Sequence, residues 1–129
     1  MTVVTRRLPA RSVQMLPKVT VVQADVHDPR ALAALLPGHD AVINLVAILH
    51  GDRHAFDKVH VQLPRQIAHA CVQAGVKRLI HVSALGAEPT APSNYLRSKA
   101  AGERVLKDAA LDLTLLRPSV IFGEQDRFI

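Results

Sequence analysis

A chain of 129 residues with 49% hydrophobic and 21% charged residues has the composition of one globular domain. It is too short for two of ordinary size and far from the charged, core-poor profile of disorder. The formal net charge of +5 would suit an anionic partner, but the basic residues stand singly or in pairs (Arg6-Arg7, Lys77-Arg78) and aromatic residues make up only 3%, which argues against nucleic acid.

In chain order, Thr2 to Thr5 reads as a strand, and "KVTVVQADV", Lys18 to Val26, as a second, β-branched and closed by an Asp-containing turn. In "DPRALAALLPG" Asp28 is positioned to cap a helix that starts at Pro29 and stops at Pro37-Gly38. "DAVINLVAIL" is nearly continuously apolar, the pattern of a strand buried on both faces. It is also far shorter than the roughly twenty residues of a membrane span. From Phe56 to Ala74 apolar residues recur at three- and four-residue steps, interrupted by Pro64 and ended by Gly75. The single cysteine, Cys71, excludes an internal disulfide and fits the apolar stripe of that helix. "VKRLIHVSAL" predicts a strand, Ser93 to Asp108 a helix, and "LDLTLLRPSVIFG" a last strand with its exit loop. Strands alternating with helices imply parallel β-α-β units: an α/β chain with one Rossmann-like, doubly wound parallel sheet over residues 1–129.

The only tyrosine, Tyr95, precedes Lys99 by four residues in "SNYLRSKAAGERVL". On a helix these two share a face, and an ammonium close to a phenol favours the phenolate, which makes the pair a usable proton donor or acceptor. Ser83, closing the preceding strand, is positioned to hydrogen-bond a substrate carbonyl oxygen at the sheet's carboxyl edge. His50, His54 and His60, with Asp52 and Asp57, crowd one segment but lack a recognised metal-ligand spacing. They read as a polar loop, and no metal is expected.

The stretches "ADVHD", "INLVA", "VKRLIHVSALGA", "YLRSK" and "LRPSVIFG" resemble, in order, motifs of the short-chain dehydrogenase/reductase superfamily, extended or atypical branch. "FDKVHVQLPRQIAHACVQAGVKRLIHVSALGA", "YLRSKAAGERVL" and "RPSVIFGEQDRF" are similar to the nucleotide-binding accessory subunits of respiratory complex I and their bacterial relatives. The resemblance implies a nicotinamide dinucleotide cofactor, with Tyr95 as general acid/base, Lys99 holding the nicotinamide ribose and Ser83 positioning substrate. Ala84 stands where many extended members carry a second hydroxyl, and His60 where many carry an asparagine. Asp25 and Val26 then match the pair beside the adenine, Asn44, Leu45, Val46 and Ala47 the stretch under the adenosine ribose and pyrophosphate, and Pro118, Ser119 and Val120 the flank of the nicotinamide.

Arg6 and Arg7 follow the first strand where an acid would bond the ribose 2′-hydroxyl of NAD. Arginine suits the 2′-phosphate of NADP, so NADP(H) is favoured and NAD(H) is the alternative. The chain has no G-x-G-x-x-G, whereas the resemblance implies a glycine-rich strand–turn–helix unit before it and a small substrate domain after it. It is expected to be the middle of a longer protein, weak in cofactor binding and prone to self-association when alone. The expected function is that of an NADP(H)-dependent oxidoreductase or epimerase/dehydratase-like enzyme acting on an unidentified small molecule; the alternative is a non-catalytic nucleotide-binding subunit in a respiratory assembly. The expected location is cytoplasmic, or peripheral on the inner face of an energy-transducing membrane.

Overall fold

Strand β1 (Thr2–Thr5) pairs in parallel with β2 (Thr20–Gln23), Thr2 opposite Thr20. The computed structural model describes residues 1–8 and 15–119. After β2 the Asp28 side chain accepts a hydrogen bond from the Arg30 N–H at 3.0 Å and caps helix α1 (Pro29–Leu35), with Pro29 in the first turn as expected. Strand β3 (Ala41–Asn44) leads to a short helix α2 (Arg53–Asp57), a π-helical turn (Lys58–Gln62) and helix α3 (Leu63–Ala74). Gly75 ends α3 in the left-handed region, φ 74°, where a residue without a Cβ is at no disadvantage. Strand β4 (Arg78–Val82), helix α4 (Asn94–Lys107, capped by Ser93 Oγ) and strand β5 (Asp112–Leu116) complete the described elements.

The helix expected from Phe56 to Ala74 is therefore broken, and Pro64 is the reason. Proline has no N–H to offer the carbonyl of His60, four residues earlier. The backbone widens into a π turn, in which the Leu63 N–H reaches back to the Lys58 carbonyl. The His60 carbonyl then lies against Gly102 of α4, so close that a Cβ there would stand 1.9 Å from its oxygen.

The described strands form parallel sheets of order β1-β2 and β3-β4-β5, the β-α-β chemistry expected of a Rossmann-like chain. A 3.1 Å hydrogen bond between His39 Nε2 and Thr2 Oγ1 links the two. In the larger sheet Val42, Leu79 and Leu113 form one register row and Asn44, His81 and Leu115 the next. Both rows belong to the face that meets α1, α3 and α4, where Leu32, Leu63, Ile67, Cys71, Leu79 and Leu106 make a buried core. Burying each large aliphatic side chain there contributes about 2 kcal/mol.

The apolar run after Asp40 departs from expectation. Only Ala41 to Asn44 is strand, Ile43 is 56% exposed and Leu45 70% exposed. The strand is covered on the helix side alone, because no described element packs over Ile43. Among the described residues no helix is long and apolar enough to cross a membrane.

Candidate functional site

Helix α4 does bring Tyr95 and Lys99 onto one face, one turn apart. Tyr95 is half-buried, its ring edge-on to His60 (centroids 5.4 Å apart, planes at 82°) and to Phe56 (6.2 Å, 68°). Burial pushes the phenol up from its ordinary value, the opposite direction to the activation that the spacing leads one to expect. Lys99 is 1% exposed and its Nζ donates to the Val82 carbonyl at 3.0 Å. Burial lowers its amine to about 8, with the carboxylate of Glu103 opposing that fall.

Ser83 is buried and points elsewhere: its Oγ donates to Glu103 Oε2 at 2.5 Å. The Arg117 guanidinium closes on the same carboxylate, Nη2 to Oε1 at 2.5 Å and Nε to both oxygens at 3.1 Å. Burial alone would raise Glu103; the hydrogen bonds from Arg117 and Ser83, together with the charges of Arg117 and Lys107, outweigh it and hold the carboxyl below its usual range. Glu103 was invisible as a site residue from motif alone. Its signal was spacing, since it follows Lys99 by four on the same helix face.

Two buried imidazoles complete this network. The Ile48 N–H donates to His60 Nε2 at 3.1 Å, so the ring proton sits on Nδ1 and is given to Ser98 Oγ at 2.8 Å; Ser98 donates in turn to the Tyr95 carbonyl at 2.7 Å. At the end of β3, Asn44 Oδ1 accepts from the Val46 N–H at 3.1 Å, which turns its amide nitrogen toward Nδ1 of His81 on β4, also at 3.1 Å. His81 therefore carries its proton on Nε2, a buried nitrogen with no partner among the described residues. Burial, then the charge of Lys99, lowers both rings to about 4, so both are neutral at pH 7.

The remaining expected cofactor residues divide. Asn44 is buried in that network, while Leu45, Val46 and Ala47 are exposed beyond the end of β3. Val26 packs against the core. The Pro118 carbonyl accepts from the Leu85 N–H at 2.9 Å and Ser119 is exposed; Val120 lies outside the described residues. Arg6 and Asp25 meet at a separate cavity of about 540 Å³, lined also by Gln23, Ala24, His27, Ala55, Lys58 and Val59. Arg7 is not part of that lining; its N–H and carbonyl bond the Thr5 hydroxyl at 3.3 and 3.1 Å. A cavity of this size, with one carboxylate and two cations, fits the polar end of a nucleotide. Of the histidine-rich segment, His50 and His54 are exposed, Asp52 caps α2 through the Ala55 N–H at 2.8 Å, and Asp57 accepts from Gln62 Nε2 at 2.6 Å.

A family model described as NAD(P)H-binding matches residues 1–127. The chain is 38% identical over 115 residues, 88% of its own length and 30% of the relative's, to NADH dehydrogenase (ubiquinone) 1 alpha subcomplex subunit 9, mitochondrial, of Mus musculus. It is 34% identical over 125 residues, 96% of its length and 39% of the relative's, to ceramide reductase of Caulobacter vibrioides. Among solved structures, a dTDP-glucose 4,6-dehydratase double mutant from Streptomyces venezuelae with NAD bound superposes with a TM-score of 0.72 at 27% identity, over 83% of this chain and 40% of that one. The chain spans about a third of the length of the curated relatives it matches first.

Proposed function

The chain belongs to the NAD(P)H-binding family, and on that premise we propose that it holds NADP(H) as a nucleotide-binding subunit of a respiratory assembly rather than turning the cofactor over. The observation that carries this reading is the 2.5 Å hydrogen bond from Ser83 to Glu103. A serine that assists hydride transfer to a carbonyl gives its proton to the substrate oxygen; here that proton already belongs to a carboxylate clamped by Arg117. Lys99 adds support, since its amine is sealed on the Val82 carbonyl, and so does Tyr95, whose phenol burial makes a weaker acid. The similarity to a mitochondrial NADH dehydrogenase subunit supports a respiratory host and a peripheral place at an energy-transducing membrane. Bound NADP(H) would supply a hydride; Arg6, Asp25 and the strand ends would hold the nucleotide.

A second reading is favoured by the shared face of Tyr95 and Lys99 and by the relative named ceramide reductase. In it the chain is the cofactor half of an NADP(H)-dependent oxidoreductase or epimerase/dehydratase-like enzyme, with Tyr95 as proton donor. The test is to purify the full-length protein, identify the nucleotide released on denaturation, and follow its oxidation with a panel of carbonyl compounds. Retained NADPH, no turnover, and retention unchanged in Tyr95→Phe are expected. Turnover abolished by Tyr95→Phe would transfer the conclusion to the second reading, and an empty protein that takes up no dinucleotide would overturn both.

A further inference from the structure

The cavity beyond β1 and β2 holds charges that the fold itself does not use. Arg6, at the end of β1, has its carbonyl fixed by Gln23 Nε2 at 3.2 Å, and the residue is exposed and lines the cavity. Lys58, the first residue of the π turn, is likewise exposed and lines the same cavity. Among the described residues the ion pairs are Arg78–Asp112 and Arg117–Glu103, so neither Arg6 nor Lys58 has a carboxylate partner within 4.0 Å. The lone acid in the lining, Asp25, uses Oδ1 to accept the His27 N–H at 2.9 Å. The His27 imidazole is lowered from its ordinary value, first by burial, then by Lys58, with Asp25 opposing and Arg6 adding. Arg6, Lys58 and His27 thus share the lining of one cavity.

An isolated surface lysine is normally no more than a solvated charge. Two unpaired cations from different elements of the chain, lining one concave space together with an imidazole, are the arrangement that a phosphomonoester dianion neutralises. We propose that Lys58 and His27 join Arg6 in a three-sided cradle for the 2′-phosphate of the dinucleotide, with Lys58 as the second cation that selects the phosphorylated cofactor. The proposal rests on the nucleotide-binding reading and adds to it two residues from outside the β1 end. Lys58 joins the lining from the first position of the π turn, directly after α2 and next to Val59, which lines the cavity too. A pyrophosphate is the other source of the same chemistry, and every dinucleotide carries one, so the two cofactors discriminate between the sources.

The test titrates NADPH and NADH separately into the full-length protein and its Lys58→Met, Lys58→Arg and Arg30→Met variants. Thermal melts confirm that each is folded. Lys58→Met is expected to raise the NADPH dissociation constant about tenfold, the loss of one charge-assisted contact, and to leave NADH unchanged. Lys58→Arg is expected to keep the preference, and Arg30→Met, which removes a positive charge from α1, to alter neither titration. Equal weakening for both cofactors would assign Lys58 to the pyrophosphate and overturn the cradle, as would an unchanged NADPH affinity. A wild-type protein that binds both cofactors equally leaves the nucleotide-binding reading standing and removes this one; a protein that binds neither removes both.

Discussion

At the α4 end, Ser83, Glu103 and Arg117 are bonded to one another, Lys99 to a backbone carbonyl, and His60 and His81 to Ser98 and Asn44. At the β1–β2 end, Arg6 and Lys58 face an open cavity with no carboxylate of their own. The first region looks like a reaction centre by motif and behaves as a polar core whose groups, His81 Nε2 apart, bond one another. The second, where Arg6 and the "ADVHD" stretch already point to a nucleotide, keeps its charges available. Buried polar groups without partners are costly, so a fold satisfies them internally, and groups left unsatisfied at a concave surface are the better guide to ligand.

Acid gives the largest test of the closed region. His60 and His81, held at about 4 against an ordinary 6.5, bind fewer protons folded than unfolded between those values. Stability is complete above pH 6.5 and falls as pH drops toward 4, by roughly 3 kcal/mol per ring if each shift is fully expressed. Glu103, whose carboxyl is depressed, adds its own loss only below the ordinary carboxylate range. Thermal melts of the full-length protein from pH 7.5 to pH 4 should show the histidine phase. A flat profile down to pH 5 would mean that the rings are hydrated and the region open after all.

Next comes Gly102→Ala. The new Cβ meets a backbone oxygen rather than a pliable side chain, so α4 and the π turn must part, at about 3 kcal/mol. The effect should appear in the melting temperature, and with it Tyr95, packed against His60, should gain solvent exposure in its fluorescence. A wild-type melt would show that the two helices yield there without cost.

How much of this was legible in the residues follows from the range of each interaction. Asp28, Ser93 and Gly75 declare helix ends through bonds spanning a few residues, and the alternation of apolar runs is enough for a parallel α/β fold. Pro64 was visible as an interruption, but that it yields a π turn, with a carbonyl seated on a glycine of another helix, depends on packing thirty-odd residues away. Ser83 was legible as a hydroxyl at a strand end; its direction was not, because Glu103 and Arg117 lie 20 and 34 positions further along. Tyr95 and Lys99 share a face as their spacing requires, yet the titration of the phenol is set by burial, and no spacing rule carries burial.

Glu103→Gln weakens the closed region at a single atom. It keeps the volume, removes the charge that accepts from both Ser83 and Arg117, and is expected to cost about 2 kcal/mol, the range for hydrogen bonds to a charged group. It also loosens the hold on the Ser83 proton, because a neutral amide oxygen is a weaker acceptor than a carboxylate. If bound NADPH then begins to react with a carbonyl compound that the wild type ignores, the commitment of Ser83 to Glu103 is what silences the site; a stability loss with no turnover leaves the binding role intact.

The smallest effect is the control that gives the others their meaning. Arg78 and Asp112 form the same kind of pair as Arg117 and Glu103, at 3.7 Å, but their side chains are 36% and 75% exposed against 2% for Glu103. Water and salt screen that pair. Arg78 does not depend on the carboxylate for its position, since Nη2 donates to Thr114 Oγ1 at 2.6 Å and Nη1 to the Asp112 carbonyl at 3.1 Å. Asp112→Asn should therefore change stability by less than about 0.5 kcal/mol, and added salt should erase the difference. Glu103→Gln measured in the same salt series should keep most of its loss. Convergence of the two variants at high salt would place Glu103 in solvent reach and open the region that the geometry describes as closed.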